Sequence, residues 1–264
     1  MSTSLDHARL LDAAVAAAHA GGRIVLESFG QRARDVVEKG PGDWVSAADT
    51  ASERAVREVL VAAAPDLPVF GEEEGGERAA VGWLVDPLDG TANFLHGLPV
   101  VGVSVALVAD GAPVVGVVHA PMLGDTFSAT AGKGAEHNGE PIEVSTRTVA
   151  QAICATGFPF RKKSERLGEY FPVFERALLT FEDLRRAGAA SLDLAWTGAG
   201  VFDGYFEQAL GPWDVAAGAL VVREAGGVVT DWAGDDTAWL TSGDVVAAPP
   251  AIHERLLALI AGGG

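Results

Sequence analysis

A layered α+β fold is predicted by the order in which this chain's periodicities change. Helical patterns come first, β-rich runs with turn signals follow, and alternating helical and strand patterns begin after about residue 150. The length of 264 residues suits one domain with a substantial core, read as an N-terminal α+β half of about 1–150 and a C-terminal α/β half of about 151–264.

Element by element, Ser4 to Phe29 reads as an amphipathic helix, with Leu11, Ala14, Val15, Ala18, Gly22 and Val25 on one face and Gly30 closing it. A second helix starts near Ser46 or Asp49, with an apolar face of Ala51, Ala55, Val56, Val59, Leu60 and Ala63. Pro65 stops it. Val69-Phe70, Trp83 to Val85, Val100 to Val108 and Val114 to Val118 read as strands, and Asp110-Gly111 marks a hairpin between the last two. Lys133-Gly134 and Asn138-Gly139 mark further turns in that sheet. Beyond residue 150 the expected helices are 164–179, 191–199, 214–225 and 251–261, with strands at 204–207, 228–231 and 244–248.

Charge narrows the function. Nineteen basic against 36 acidic side chains give −17, which repels nucleic acid and anionic lipid over most of the surface. No apolar run approaches the roughly 18 residues of a membrane span, and the N-terminus makes a poor signal peptide, so the expected location is cytoplasmic. The single cysteine, Cys154, forms no internal disulfide and reads as a buried structural thiol.

The chemistry concentrates in Gly71-Glu72-Glu73-Glu74 and in Asp86-Pro87-Leu88-Asp89-Gly90-Thr91-Ala92-Asn93-Phe94. Asp86 is expected at a strand end, turned by Pro87, and Thr91 as a helix N-cap. Two carboxylates on a rigid turn with Glu72 nearby repel one another unless a cation binds them. Hard carboxylate oxygens with a backbone carbonyl suit Mg²⁺ or Mn²⁺, and the Gly90 and Thr91 amides at a helix start suit a phosphate oxygen. Asp214, in Gly211-Pro212-Trp213-Asp214, is expected at the N-terminus of the next helix. No Ser or Cys nucleophile has an evident His partner. His96 follows the motif and invites a general-acid role, with a loop or packing histidine as the alternative. The basic run Arg161-Lys162-Lys163 reads as a solvated loop with steering of an anionic substrate as its minority use.

These two stretches, with Trp213-Asp214-Val215-Ala216-Ala217-Gly218, resemble the signature motifs of the inositol monophosphatase family, and the likeness extends over nearly the whole chain. It implies a layered αβαβα sandwich of the inositol monophosphatase and fructose-1,6-bisphosphatase type. It implies metal sites made by Glu72, Asp86 and the Leu88 carbonyl, and by Asp86, Asp89 and Asp214, with Glu72 also reaching a third ion. The cofactor is then Mg²⁺, two to three ions, with Mn²⁺ possible. The resemblance assigns Thr91, Asp49 and Glu72 to catalysis and Gly90, Thr91 and Lys39 to phosphate. It assigns Glu207 and the Ala190 backbone to the polyol.

The implied enzyme is a lithium-sensitive phosphoric monoester hydrolase acting on myo-inositol 1-phosphate, as a homodimer. Histidinol phosphate, fructose 1,6-bisphosphate and phosphoadenosine phosphate stay open as substrates on the same fold, and a regulatory interaction protein is the alternative of another class. Arg185-Arg186 offers that alternative a partner contact.

Overall fold

The computed structural model describes residues 5–30, 37–40 and 43–263, with backbone alone for 37–40 and 43–45. The chain opens with α1 (His7–Ser28), capped by Asp6. The hairpin β1 (Val37–Gly40) and β2 (Asp43–Val45) leads to α2 (Ala47–Ala63), whose N-cap is Ser46. A seven-stranded sheet follows in sequence order: β3 (Val69–Gly71), β4 (Val81–Asp89), β5 (Gly102–Ala109), β6 (Ala112–Ala120), β7 (Asp125–Thr130), β8 (Gly134–His137) and β9 (Glu140–Ile142). Only the β3–β4 pair within it is parallel. The short helix α3 (Thr91–His96) interrupts it after β4.

Beyond Ile142 the chain builds a five-stranded sheet in the order β11-β10-β12-β14-β13. Its strands are β10 (Ile153–Thr156), β11 (Asp183–Arg185), β12 (Gly204–Glu207), β13 (Val228–Thr230) and β14 (Val245–Ala248). Between them run α4 (Lys163–Thr180), α5 (Ala190–Gly198), α6 (Pro212–Glu224), α7 (Trp239–Ser242) and α8 (Pro250–Ile260).

Three apolar cores bind these elements into five layers. Leu10, Ala14 and Val25 of α1 with Val56 and Leu60 of α2 cover one face of the large sheet, against Trp83, Val85, Val103 and Val117. The other face, through Ala106, Val118 and Phe127, packs on α5 and α6 at Leu192, Leu194, Val215 and Leu220. Those helices in turn meet Tyr205, Val245 and Ala247 of the small sheet. Tyr170, Val173, Ile252 and Leu256 of α4 and α8 close the far side over Cys154 and Phe206. The order helix, sheet, helix, sheet, helix is therefore the predicted sandwich.

Several local expectations are corrected. Strand β4 does not stop at Asp86 but passes through Pro87 to Asp89, with its register against β5 shifting between those acids. A proline has no N–H to give, so the ladder bulges there instead of ending. Thr91 is the first residue of α3, and Gly90 in the left-handed region (φ +89°) is its cap. Asp214 is the third residue of α6, which begins at Pro212, a residue suited to a helix start. Strands β10 and β11 were not expected as strands. The expected face of α2 is also incomplete: Ala51 is exposed, while Asp49, Ser52 and Glu53 are buried.

Candidate active site

The layers end in a cavity of about 260 Å³ at the mouth between the two sheets. Glu72, Asp86, Leu88, Asp89, Gly90, Thr91, Ala190, Glu207 and Asp214 all line it. Of the residues expected in the site, Asp49 lies just behind this wall and the side chain of Lys39 lies outside the described residues.

Each acid is brought in by a different element. Glu72 follows β3 on a loop fastened by Glu53 of α2. The Glu53 carboxylate accepts the Glu73 N–H at 2.8 Å and the Glu74 N–H at 3.1 Å, and pairs with Arg57 at 2.7 Å. Gly71 allows this approach, since a Cβ there would stand 2.1 Å from Glu53 Oε1. Asp86 and Asp89 come from the bulged end of β4. Asp86 Oδ1 accepts the Leu88 N–H at 3.0 Å, and the Ser52 hydroxyl donates to the Pro87 carbonyl at 2.8 Å, which ties the bulge to α2.

Asp89 Oδ2 accepts the backbone N–H and the hydroxyl of Ser191 in the first turn of α5, at 2.7 and 2.6 Å. Asp214 Oδ2 accepts the Gly211 N–H at 2.7 Å, in the first turn of α6. Ser104 of β5 donates to the Trp213 carbonyl at 2.9 Å, fixing that helix end over the large sheet. Two helix N-termini thus point partial positive charge at the acids.

One oxygen each from Glu72, Asp86 and Asp214 lies within 4.8 Å of the others. Burial, then the charges of Glu72, Asp89 and Asp214, holds the Asp86 carboxyl well above the usual carboxylate range. Asp89 is pushed up to about 7, by burial first and Asp214 second. Such clustering is costly without a cation, and an all-oxygen donor set with a carbonyl beside it fits a hard divalent ion.

Thr91 Oγ1 stands 3.0 Å from Asp49 Oδ1 and 3.1 Å from the Leu88 carbonyl. Asp49 is buried and fixed by Ser46, whose backbone N–H and hydroxyl both donate to Oδ2; burial raises its pKa despite these bonds. Glu207, which lines the same cavity, is buried and accepts the Tyr205 hydroxyl at 2.6 Å. Burial pushes its carboxyl up to about 8. Gly157 makes room for it, since a Cβ there would fall 1.9 Å from Glu207 Oε2.

Sequence reasoning missed the residues that hold these groups: Ser52, Glu53, Arg57, Ser191 and Tyr205. It also misplaced Arg161, which is no solvated loop residue: Nη1 lies 2.8 Å from Asp214 Oδ2 and Nη2 3.2 Å from Glu72 Oε1. Arg186, expected at a partner contact, and Lys163 both line the cavity, whereas His96 is not among its lining residues. The clustering of basic residues in 161–163, six residues after a buried apolar run, was the one available signal for Arg161.

A five-layered sandwich that closes on clustered carboxylates defines a metal-dependent phosphatase, and comparison with known proteins agrees. The chain belongs to the inositol monophosphatase family, whose model matches residues 6–262. It is 40% identical over 253 residues to Nus factor SuhB of Pasteurella multocida, covering 94% of each chain. Among solved structures, the extragenic suppressor protein suhB of Bartonella henselae superposes with a TM-score of 0.91 at 36% identity, over 97% of this chain and 99% of that one. The Thermotoga maritima IMPase gives 0.87 at 32% identity, over 96% and 97%. Among the described residues, no helix is long and apolar enough to cross a membrane.

Proposed function

We propose that this phosphatase hydrolyses a small polyol phosphate, myo-inositol 1-phosphate first among the candidates, with Mg²⁺ as its metal and Mn²⁺ as a substitute. The observation that carries this reading is one cavity lined both by the clustered acids and by the buried Glu207. Glu72, Asp86, the Leu88 carbonyl, Asp89 and Asp214 would hold the ions. The chemistry that divalent ions supply here is a bound water of lowered pKa and neutralisation of charge on the leaving oxygen.

This chain's own groups do the rest. Asp49 Oδ1 accepts the Thr91 proton, which turns the Thr91 oxygen lone pairs toward the cavity to orient the attacking water. The Gly90 and Thr91 amides, at the first turn of α3, donate to phosphate oxygens. Glu207 accepts hydrogen bonds from vicinal hydroxyls of the polyol, with Tyr205 holding its carboxyl at one oxygen, and the Ala190 backbone supplies a further contact to the polyol.

Phosphate release from inositol 1-phosphate, histidinol phosphate, fructose 1,6-bisphosphate and phosphoadenosine phosphate, each with Mg²⁺ and with EDTA, tests the reading. Mg²⁺-dependent release dominated by inositol 1-phosphate is expected. Preference for histidinol phosphate, whose amine Glu207 would also attract, moves the assignment to that substrate. Release unaffected by EDTA overturns the metal role.

A second reading, a regulatory role through a macromolecular partner, is favoured by the name Nus factor that relatives carry. Asp89→Asn separates the two, since hydrolysis would be lost while a partner complex persisted. A homodimer, lithium inhibition and a cytoplasmic location belong to the first reading and are checked by sedimentation, LiCl titration and fractionation.

A further inference from the structure

Arg161 stands where the acids of the cavity call for a cation. Its guanidinium reaches Asp214 Oδ2 at 2.8 Å with one nitrogen and Glu72 Oε1 at 3.2 Å with the other. Both acids belong to the group of three whose oxygens lie within 4.8 Å. An arginine fork suits this task, because its two arms can serve two carboxylates at once.

The segment that carries Arg161 is a single 3₁₀ turn, Phe160–Lys162, between β10 and α4 and outside both sheets. The side chain is about one-quarter exposed, at 24%. Its guanidinium carbon also lies 4.8 Å from the centroid of the Phe160 ring on the same short turn, a contact made alongside the two ion pairs. A single positive charge offsets only part of four acids. A divalent ion brings twice the charge into the same space and needs the same oxygens, so the two cannot both be satisfied there.

We propose that Arg161 is an exchangeable internal counter-ion: it holds Glu72 and Asp214 together when metal is absent and is given up when metal binds. It is a positioning residue for the acids and a competitor for the metal. The inference rests on the metal reading of this cavity. Its signature is a pair of opposite effects, since losing the guanidinium weakens the metal-free protein and strengthens its grip on metal.

The test is calorimetric titration of the metal-free protein with MgCl₂ and MnCl₂, without substrate, beside thermal melting in EDTA. The variants are Arg161→Ala, Arg161→Lys and Lys163→Ala. Arg161→Ala should bind Mg²⁺ tighter by about tenfold or more, the worth of at least one charge-assisted hydrogen bond no longer surrendered, and should melt earlier in EDTA. Arg161→Lys should fall between, because an ammonium cannot fork across both acids.

Lys163 lines the same cavity and is the control for charge alone. Its removal should change Mg²⁺ affinity less than about threefold, since a screened point charge acts weakly at a distance. Equal tightening in Arg161→Ala and Lys163→Ala reduces Arg161 to a general field effect and overturns the proposal. Weaker or unchanged metal binding in Arg161→Ala overturns it too. If the wild-type protein takes up neither ion, the metal reading itself falls; if it binds metal but Arg161→Ala does so no better, only the counter-ion is lost.

Discussion

Glu53 is the residue whose loss should show most directly how the acidic site is held. It is fully buried on α2, and its carboxylate accepts two backbone N–H groups of the Glu72 loop and pairs with Arg57. Glu53→Gln keeps the volume, removes the charge and leaves one oxygen to serve three donors. Each charge-assisted bond is worth about 1.5–3 kcal/mol, and breaking a buried pair by removing one partner costs about 3–5 kcal/mol. Arg57 keeps the Val69 and Gly75 carbonyls as acceptors, so the expected loss lies at the low end, about 3 kcal/mol. Urea unfolding in EDTA measures it. Because the loop then releases Glu72, metal affinity by calorimetry should fall about 10- to 100-fold, as when a ligand loses its supporting partner. A variant within about 0.5 kcal/mol of wild type, the range of an ordinary surface change, that binds Mg²⁺ unchanged would refute the argument.

The metal-free protein should lose stability as pH rises. Asp89 moves from 3.8 unfolded to about 7 folded, so its contribution is complete below about pH 4 and is lost as pH climbs through 7; Asp86 acts in the same direction. Melting temperature in EDTA should therefore fall from pH 5 to pH 8, less steeply in Asp89→Asn, and saturating Mg²⁺ should flatten the fall; a flat EDTA profile refutes it. Gly157→Ala places a methyl 1.9 Å from Glu207 Oε2 and should raise KM for the polyol phosphate well above its effect on kcat. Asp49→Asn leaves one acceptor oxygen, which the two Ser46 donors claim, so Thr91 faces an amide NH₂ instead of an acceptor. Its kcat should fall by about 10²–10⁴, with calorimetric metal affinity near wild type.

Much of the fold is legible in the sequence where one face of an element is regularly apolar, as in α1, α4, α8 and the strands β4 to β6. Strands β10 and β11 escape because they are too short to show a period: β10 is three apolar residues and a threonine, and β11 is three residues flanked by charge. The inner face of α2 misleads for another reason. Asp49, Ser52 and Glu53 face the site instead of the apolar core, so their burial is satisfied by partners far away in the chain.

The same division runs through the site. The turn Asp86-Pro87-Leu88-Asp89-Gly90-Thr91 is constrained locally by a proline without an N–H and a glycine at φ +89°, while its bulged pairing with β5 and its ties to Ser52 and Ser191 come from distant residues. Resemblance to a family pattern adds Glu72, Asp214 and Glu207, but no spacing predicts that Glu72 and Asp214 share an arginine. That contact joins residues 89 and 53 positions apart through the packing of two sheets. Local chemistry is written in neighbouring residues; the meeting of a charge with its counter-charge depends on how the layers close, and only the tertiary structure decides it.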